Sequence, residues 1–324
     1  MRPPRAVFLD VPAAALGWLG RQGTRAVAAL VVLGIALPPV DRLLRPFVTE
    51  AVLALLCIAF MRLDLAALRQ HLRRPGLMLA ATAWTMLAMP TLFGGACLWS
   101  GVDGSWPDLF HGLMLQGVAS PMMAAPAFAA LLGLDATLVL LTLVLSTALV
   151  PLTAPLFAYV FIGAGLAVTP LSLGLKLAAI LAGSAAAGLA LRRLFGAAAI
   201  ARHRAPIDGL NILVLYVFVA SVMEDVAASF IATPLLAVGL TLLAFAVYLA
   251  VLAASVLAFL CAGWRRALAC GFMASQRNMG LMLAATGGML PDLTWLYFAL
   301  AQFPIYLAPA LLKPLVRRQA AAAW

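Results

Sequence analysis

The sequence holds few of the side chains from which catalytic centres are built. Among 324 residues there are 11 acids, 3 histidines and 4 cysteines. His71, His111 and His203 lie far apart, and Cys57, Cys97, Cys261 and Cys270 form no C-x-x-C pair. Sequence inspection finds no Ser-His-Asp set, no glycine-rich phosphate loop and no cluster with metal-ligand spacing. The expectation is a protein that is not an enzyme and has neither cofactor nor metal site. The cysteines, all in apolar sequence, read as small buried hydrophobes. Charged residues make up only 10% of the chain, against about 25% in soluble domains, which excludes an ordinary soluble fold. The formal net charge of +10 is no nucleic-acid footprint, because the basic residues fall in short loops between apolar runs. Residues 1–12 contain charge and proline but no compact apolar core, so no cleavable signal peptide is expected.

What is present is hydrophobicity: 65% apolar residues and a mean hydropathy of +1.09. The apolar runs reach about 18 residues or more, the length of membrane helices rather than of barrel strands. The reading is an all-α membrane protein with ten transmembrane segments and the lipid bilayer as its surroundings. They span Thr24–Pro39, Phe47–Met61, Gly76–Trp99, Trp106–Leu132, Ala136–Gly163, Pro170–Leu191, Ile207–Met223, Thr233–Gly263, Ala267–Leu290 and Leu293–Leu312. A basic amphipathic stretch, residues 62–74, is expected on the cytoplasmic surface. With the amino terminus inside, the arginine-rich loops fall on the cytoplasmic side. Asp41, Glu50, Asp103, Asp108, Glu224, Asp225 and Asp292 fall outside. This positive-inside alternation predicts both termini in the cytoplasm, in a bacterial inner membrane.

Ten segments divide into two five-segment repeats, residues 1–163 and 164–324. An odd number in each half makes the second inverted relative to the first. The fourth segment is interrupted by Pro121 and Pro126, and the ninth by Ser275-Gln276-Arg277-Asn278. Broken helices at matched positions of inverted repeats point to a transporter's binding site. Freed backbone groups are tolerated at membrane depth only when buried in protein or lining a cavity. Arg277 adds a charge that cannot be neutralised by losing its proton. At the centre of a membrane helix it costs about 2.5–3.5 kcal/mol on insertion scales. No acid lies in its own segment to pair with it.

Two stretches resemble the bile acid:sodium symporter family, within the group that also holds arsenite and riboflavin transporters: VASPMMAAPAFAALLGLDATLVLLTLVLSTALVPLTAPLF, residues 118–157, and CGFMASQRNMGLMLAATGG, residues 270–288. Ser146, Thr147, Pro151 and Pro155 match the family's fifth helix, and Asn278, Gly280 and Leu281 its ninth. The resemblance implies a panel of segments one, two, six and seven. It implies a core of segments three to five and eight to ten, with the broken fourth and ninth segments crossing near the midplane. Substrate would bind between panel and core, and rocking would alternate access.

The departures from the family concern sodium. Its sodium-coupled members hold the ion with oxygen ligands at the crossing. Here Ala125 and Pro126 stand at the fourth-helix positions, Val139 and Leu143 at the fifth-helix positions, and Met273 and Arg277 replace the ninth-helix carboxylate and glutamine. Hard cations require oxygen ligands, so sodium is not expected there, and Arg277 is expected to stand in place of the ion by bridging carbonyls at half-helix C-termini. Candidate substrate-binding residues are Gln116, Ser120, Ser275, Gln276, Arg277 and Asn278, where Gln116, Ser120, Ser275 and Gln276 either bind substrate or satisfy freed backbone. Ser146 and Thr147 are expected to bond their own helix carbonyls. Lys176 is expected to snorkel, and Tyr248 to anchor at an interface. The function expected is secondary transport of a small organic anion. The alternatives are an arsenite-type oxyacid exporter, disfavoured because the fourth segment lacks a cysteine, and a non-transporting membrane sensor or scaffold.

Overall fold

The computed structural model describes residues 5–23, 26, 29, 33–34, 38–63, 75–163, 168–223 and 226–322. Most of the expected first segment and nearly all of the basic stretch 62–74 lie outside these residues, as do Glu224 and Asp225. The described chain is helical, and its one β feature is an isolated bridge.

In chain order the helices are α1 Arg5–Gln22, α2 Pro38–Leu44, α3 Val48–Arg62, α4 Pro75–Ala83, α5 Met89–Ser100, α6 Val102–Ser105, α7 Pro107–Val118 and α8 Ala125–Leu132. They continue as α9 Ala136–Phe161, α10 Pro170–Phe195, α11 Ala197–Arg202, α12 Arg204–Met223, α13 Val226–Ala232 and α14 Pro234–Phe259. The last are α15 Trp264–Ser275, α16 Met279–Thr286 and α17 Asp292–Ala322. Prolines open several of them, at the first-turn positions where a missing N–H leaves no bond unmade. Asp135 caps α9, its carboxylate accepting from the Leu138 N–H at 3.0 Å. Pro151 and Pro155 are accommodated inside α9 without ending it.

Among the described residues, seven helical stretches are long and apolar enough to cross a bilayer. The expected fourth and ninth segments are not among them, because each is split into halves of 12 and 8 residues, well short of the roughly 20 that a span requires. The surface is apolar: Trp99, Leu235 and Ile231 are 92%, 89% and 84% exposed, while Gln116, Ser120, Gln276 and Arg277 are buried. That inverts the soluble pattern, as expected of a protein solvated by lipid.

The chain forms two compact units, one of residues 1–63 and 182–227, the other of residues 64–181 and 228–324. In the first, α1 and α3 pack on α12. Arg62 pairs with Asp208 at 2.6 Å, and the Ser221 hydroxyl donates to the Leu44 carbonyl at 2.7 Å. In the second, α15 lies against α14 so closely that a Cβ on Gly271 would meet the Leu252 carbonyl oxygen at 2.8 Å.

Candidate functional site

All candidate residues belong to the second unit. α7 ends at Val118, and after a short extended piece around Pro121 the chain turns at residues 123–124 into α8, which begins at Ala125. α15 ends at Ser275, and Asn278 caps α16. The two extended pieces pair antiparallel at Pro121 and Arg277. The Met122 N–H donates to the Gln276 carbonyl at 2.6 Å, and the Asn278 N–H to the Ser120 carbonyl at 2.8 Å. The register leaves Pro121 in the pair that exchanges no backbone hydrogen bond, so its missing N–H is not needed. Pro126 sits in the first turn of α8, where it begins a helix rather than interrupting one.

Arg277 is 1% exposed. Its Nη1 donates to the Ala119 carbonyl at 2.8 Å and to the Thr85 carbonyl at 3.3 Å. Ala119 lies just past the last turn of α7, so its oxygen is one of the acceptors a helix end orphans. Thr85 is orphaned by a different route. Residues Trp84–Ala88, between α4 and α5, form a π turn in which the Met89 N–H reaches back to Trp84. The next residue able to serve Thr85 is Pro90, which has no N–H. The guanidinium supplies the missing donor. Its Nε and Nη2 are buried and carry no hydrogen bond among the described residues.

The other candidates fall into distinct environments. Asn278 is spent on its own helix, its Oδ1 accepting from Leu281 at 3.1 Å. The Ser275 hydroxyl donates to the Gly271 and Phe272 carbonyls, both at 3.0 Å. The Gln276 Nε2 donates to the Tyr248 hydroxyl and to the Ile305 carbonyl, both at 3.1 Å, while its Oε1 is unpaired. Gln116 accepts from the Tyr297 hydroxyl on α17. The Ser120 hydroxyl is buried and unpaired. The structure thus brings Ser120, Gln276, Arg277 and Asn278 to the crossing and leaves Gln116 about one turn before it.

Several expectations are corrected. The Ser146 and Thr147 hydroxyls do not bond their own helix; with Thr142 they are buried on α9 without partners among the described residues. Tyr248 is 3% exposed, a core residue holding Gln276 rather than an interfacial anchor. The Lys176 Nζ lies beside Gly287, where a Cβ would meet it at 3.8 Å. Its charge is therefore placed at the C-terminus of α16, the end that favours a cation. Cys261 is exposed and Cys57 half-buried. Sequence reasoning missed Thr85 and Tyr297 and gave Tyr248 a different role. For Thr85, the signal was Pro90 inside an otherwise continuous helical run.

At the positions where the resemblance places sodium ligands, the side chains are Ala125, Pro126, Val139, Leu143, Met273 and Arg277. Of these, Ala125, Val139, Leu143, Met273 and Arg277 are buried. None supplies a side-chain oxygen, so this set does not fit a hard cation. No curated protein matches the chain. The model of the sodium bile acid symporter family matches residues 51–233. The matched region contains Gln116, Ser120, Pro121 and Pro126 and ends before the second half of the crossing. A family of multi-pass transporters accounts for the apolar helices and for the break at residues 119–124, buried over residues 119–121. With more than half of its length matched, the chain belongs to the sodium bile acid symporter family.

Proposed function

We propose that this transporter carries a small organic anion across a bacterial inner membrane by alternating access, with the guanidinium of Arg277 in place of a sodium ion. The observation that carries the proposal is the placement of Arg277. It is a buried charge whose described partners are two carbonyls and no carboxylate. A fixed cation bonded to the C-terminal end of α7 does there what a bound cation would do, neutralising orphaned carbonyls and leaving a positive field for an anion.

The architecture we propose has ten crossings with both termini cytoplasmic, built as inverted repeats of residues 1–163 and 164–324. A panel of segments one, two, six and seven would work against a core of the remaining six. Support comes from the two compact units, one holding α3 and α12 and the other holding α7, α8, α15 and α16. The broken segments four and nine in one crossing support it too.

The test is uptake of radiolabelled acetate, benzoate and cholate into proteoliposomes, with Arg277→Ala as the comparison and size-exclusion profiles as the folding control. Uptake by the native protein that is lost in a folded Arg277→Ala supports the reading. No uptake of any of the three, or full uptake by the variant, counts against it.

A further inference from the structure

The two edges of the Arg277 guanidinium have different employment. Nη1 is occupied by the carbonyls of Thr85 and Ala119. The unpaired donors are Nε and Nη2. These are the nitrogens whose N–H bonds run parallel on the side-on edge, the fork that matches the two oxygens of a carboxylate. A point-like cation substitute would have no reason to leave that edge unpaired. A buried polar atom without a partner is exceptional, and here two adjacent donors on one charged group share the condition.

A second observation points the same way. The hydroxyl of Ser120, next in sequence to the carbonyl that Nη1 holds, is buried and unpaired, as are Thr142, Ser146 and Thr147 on α9. α9 packs against both α7 and α15, the two helices that lead into the crossing. Hydroxyls donate as well as accept. Beside a fixed guanidinium charge, unused hydroxyl donors suit an oxyanion better than an apolar group or a second cation.

We infer that the Nε–Nη2 edge of Arg277 is a carboxylate-binding fork, held in position by the bonds its Nη1 makes, and that the transported anion is a carboxylate gripped side-on with help from Ser120. This rests on the transporter reading above and specifies its substrate class. One arginine then has two roles: one edge ties the crossing to the π turn, and the other takes the cargo.

The experiment is thermal stability of the purified full-length protein titrated with acetate, benzoate and cholate. The controls are acetamide and benzamide, and chloride at matched ionic strength. The titrations are repeated on Arg277→Lys, which keeps the charge but offers a point-like ammonium without parallel donors. The expectation is that at least one carboxylate raises the native melting temperature while amide and chloride do not. In Arg277→Lys its dose curve should shift at least tenfold to higher concentration. Should the lysine variant fail to fold, the 15N-labelled arginine Nε–H resonance of the native protein should move with benzoate and stay still with chloride. Equal effects of chloride and carboxylate, equal affinity in Arg277→Lys, or no response to any carboxylate overturns the fork. Uptake that persists unchanged in Arg277→Lys overturns the fork and leaves the transporter reading intact. Binding by the fork without uptake does the reverse.

Discussion

Replacing Arg277 by methionine separates the energetics of the two edges. Methionine is unbranched, apolar and flexible enough to fill the vacated channel. It loses the bonds to the Thr85 and Ala119 carbonyls, each worth about 1.5–3 kcal/mol for a charged donor, or about 3–6 kcal/mol together. It also removes a buried charge with two unpaired donors, each of which costs about 1–3 kcal/mol. That returns about 2–6 kcal/mol. The contributions cancel to within about 4 kcal/mol, so Arg277→Met should fold and melt within about 15 °C of the native protein. Transport has no such compensation. Deleting one partner of a buried hydrogen-bonded charge pair costs about 2–5 kcal/mol, so the apparent affinity for a carboxylate should weaken by at least about 30-fold. The assay is a melting curve and a proteoliposome dose–response on the same preparation. Native affinity in Arg277→Met would refute the anion-binding role. Loss of folded protein would refute the reading that removing two unpaired donors offsets the lost bonds.

Four further outcomes are expected. Gly271→Ala should lower stability by about 1–3 kcal/mol in a thermal melt, because the new methyl group meets the Leu252 carbonyl, which cannot rotate away. Asn278→Ala should cost about 1 kcal/mol through the lost α16 cap, read from the same melt. Tyr248→Phe and Gln276→Leu should be coupled in a double-mutant cycle by about 0.5–3 kcal/mol, since each removes the same hydrogen bond. Pro90→Ala should raise the melting temperature, because it restores an N–H inside the α4–α5 run. It should lower uptake by competing with Arg277 for the Thr85 carbonyl.

The sequence exposes long features more readily than contacts between distant ones. Apolar runs and clustered arginines mark the helices, and α9, α10 and α14 begin within one residue of the expected positions. The two breaks were legible because polar residues and prolines interrupt apolar sequence, and such interruptions are tolerated only for a reason. What could not be read is which atoms meet. The Nη1 partner Thr85 is 192 residues from Arg277, and nothing local to either residue announces the other. Tyr248 and Tyr297 were opaque for a related cause. A tyrosine in an apolar helix serves equally at an interface or in a core, and only the packing of α14 and α17 decides it. The division of labour between the edges of one guanidinium is a matter of individual nitrogens, below the level at which residue type carries information.

Whether Arg277 takes the place of sodium is decided by initial uptake of radiolabelled acetate, benzoate and cholate into proteoliposomes with external sodium or with choline in its place. A side-chain set of Ala125, Pro126, Val139, Leu143, Met273 and Arg277 around a fixed guanidinium predicts equal rates in the two media for whichever carboxylate is carried. A rate that falls several-fold in choline would show that sodium drives transport, and would contradict the assignment of the ion's place to Arg277.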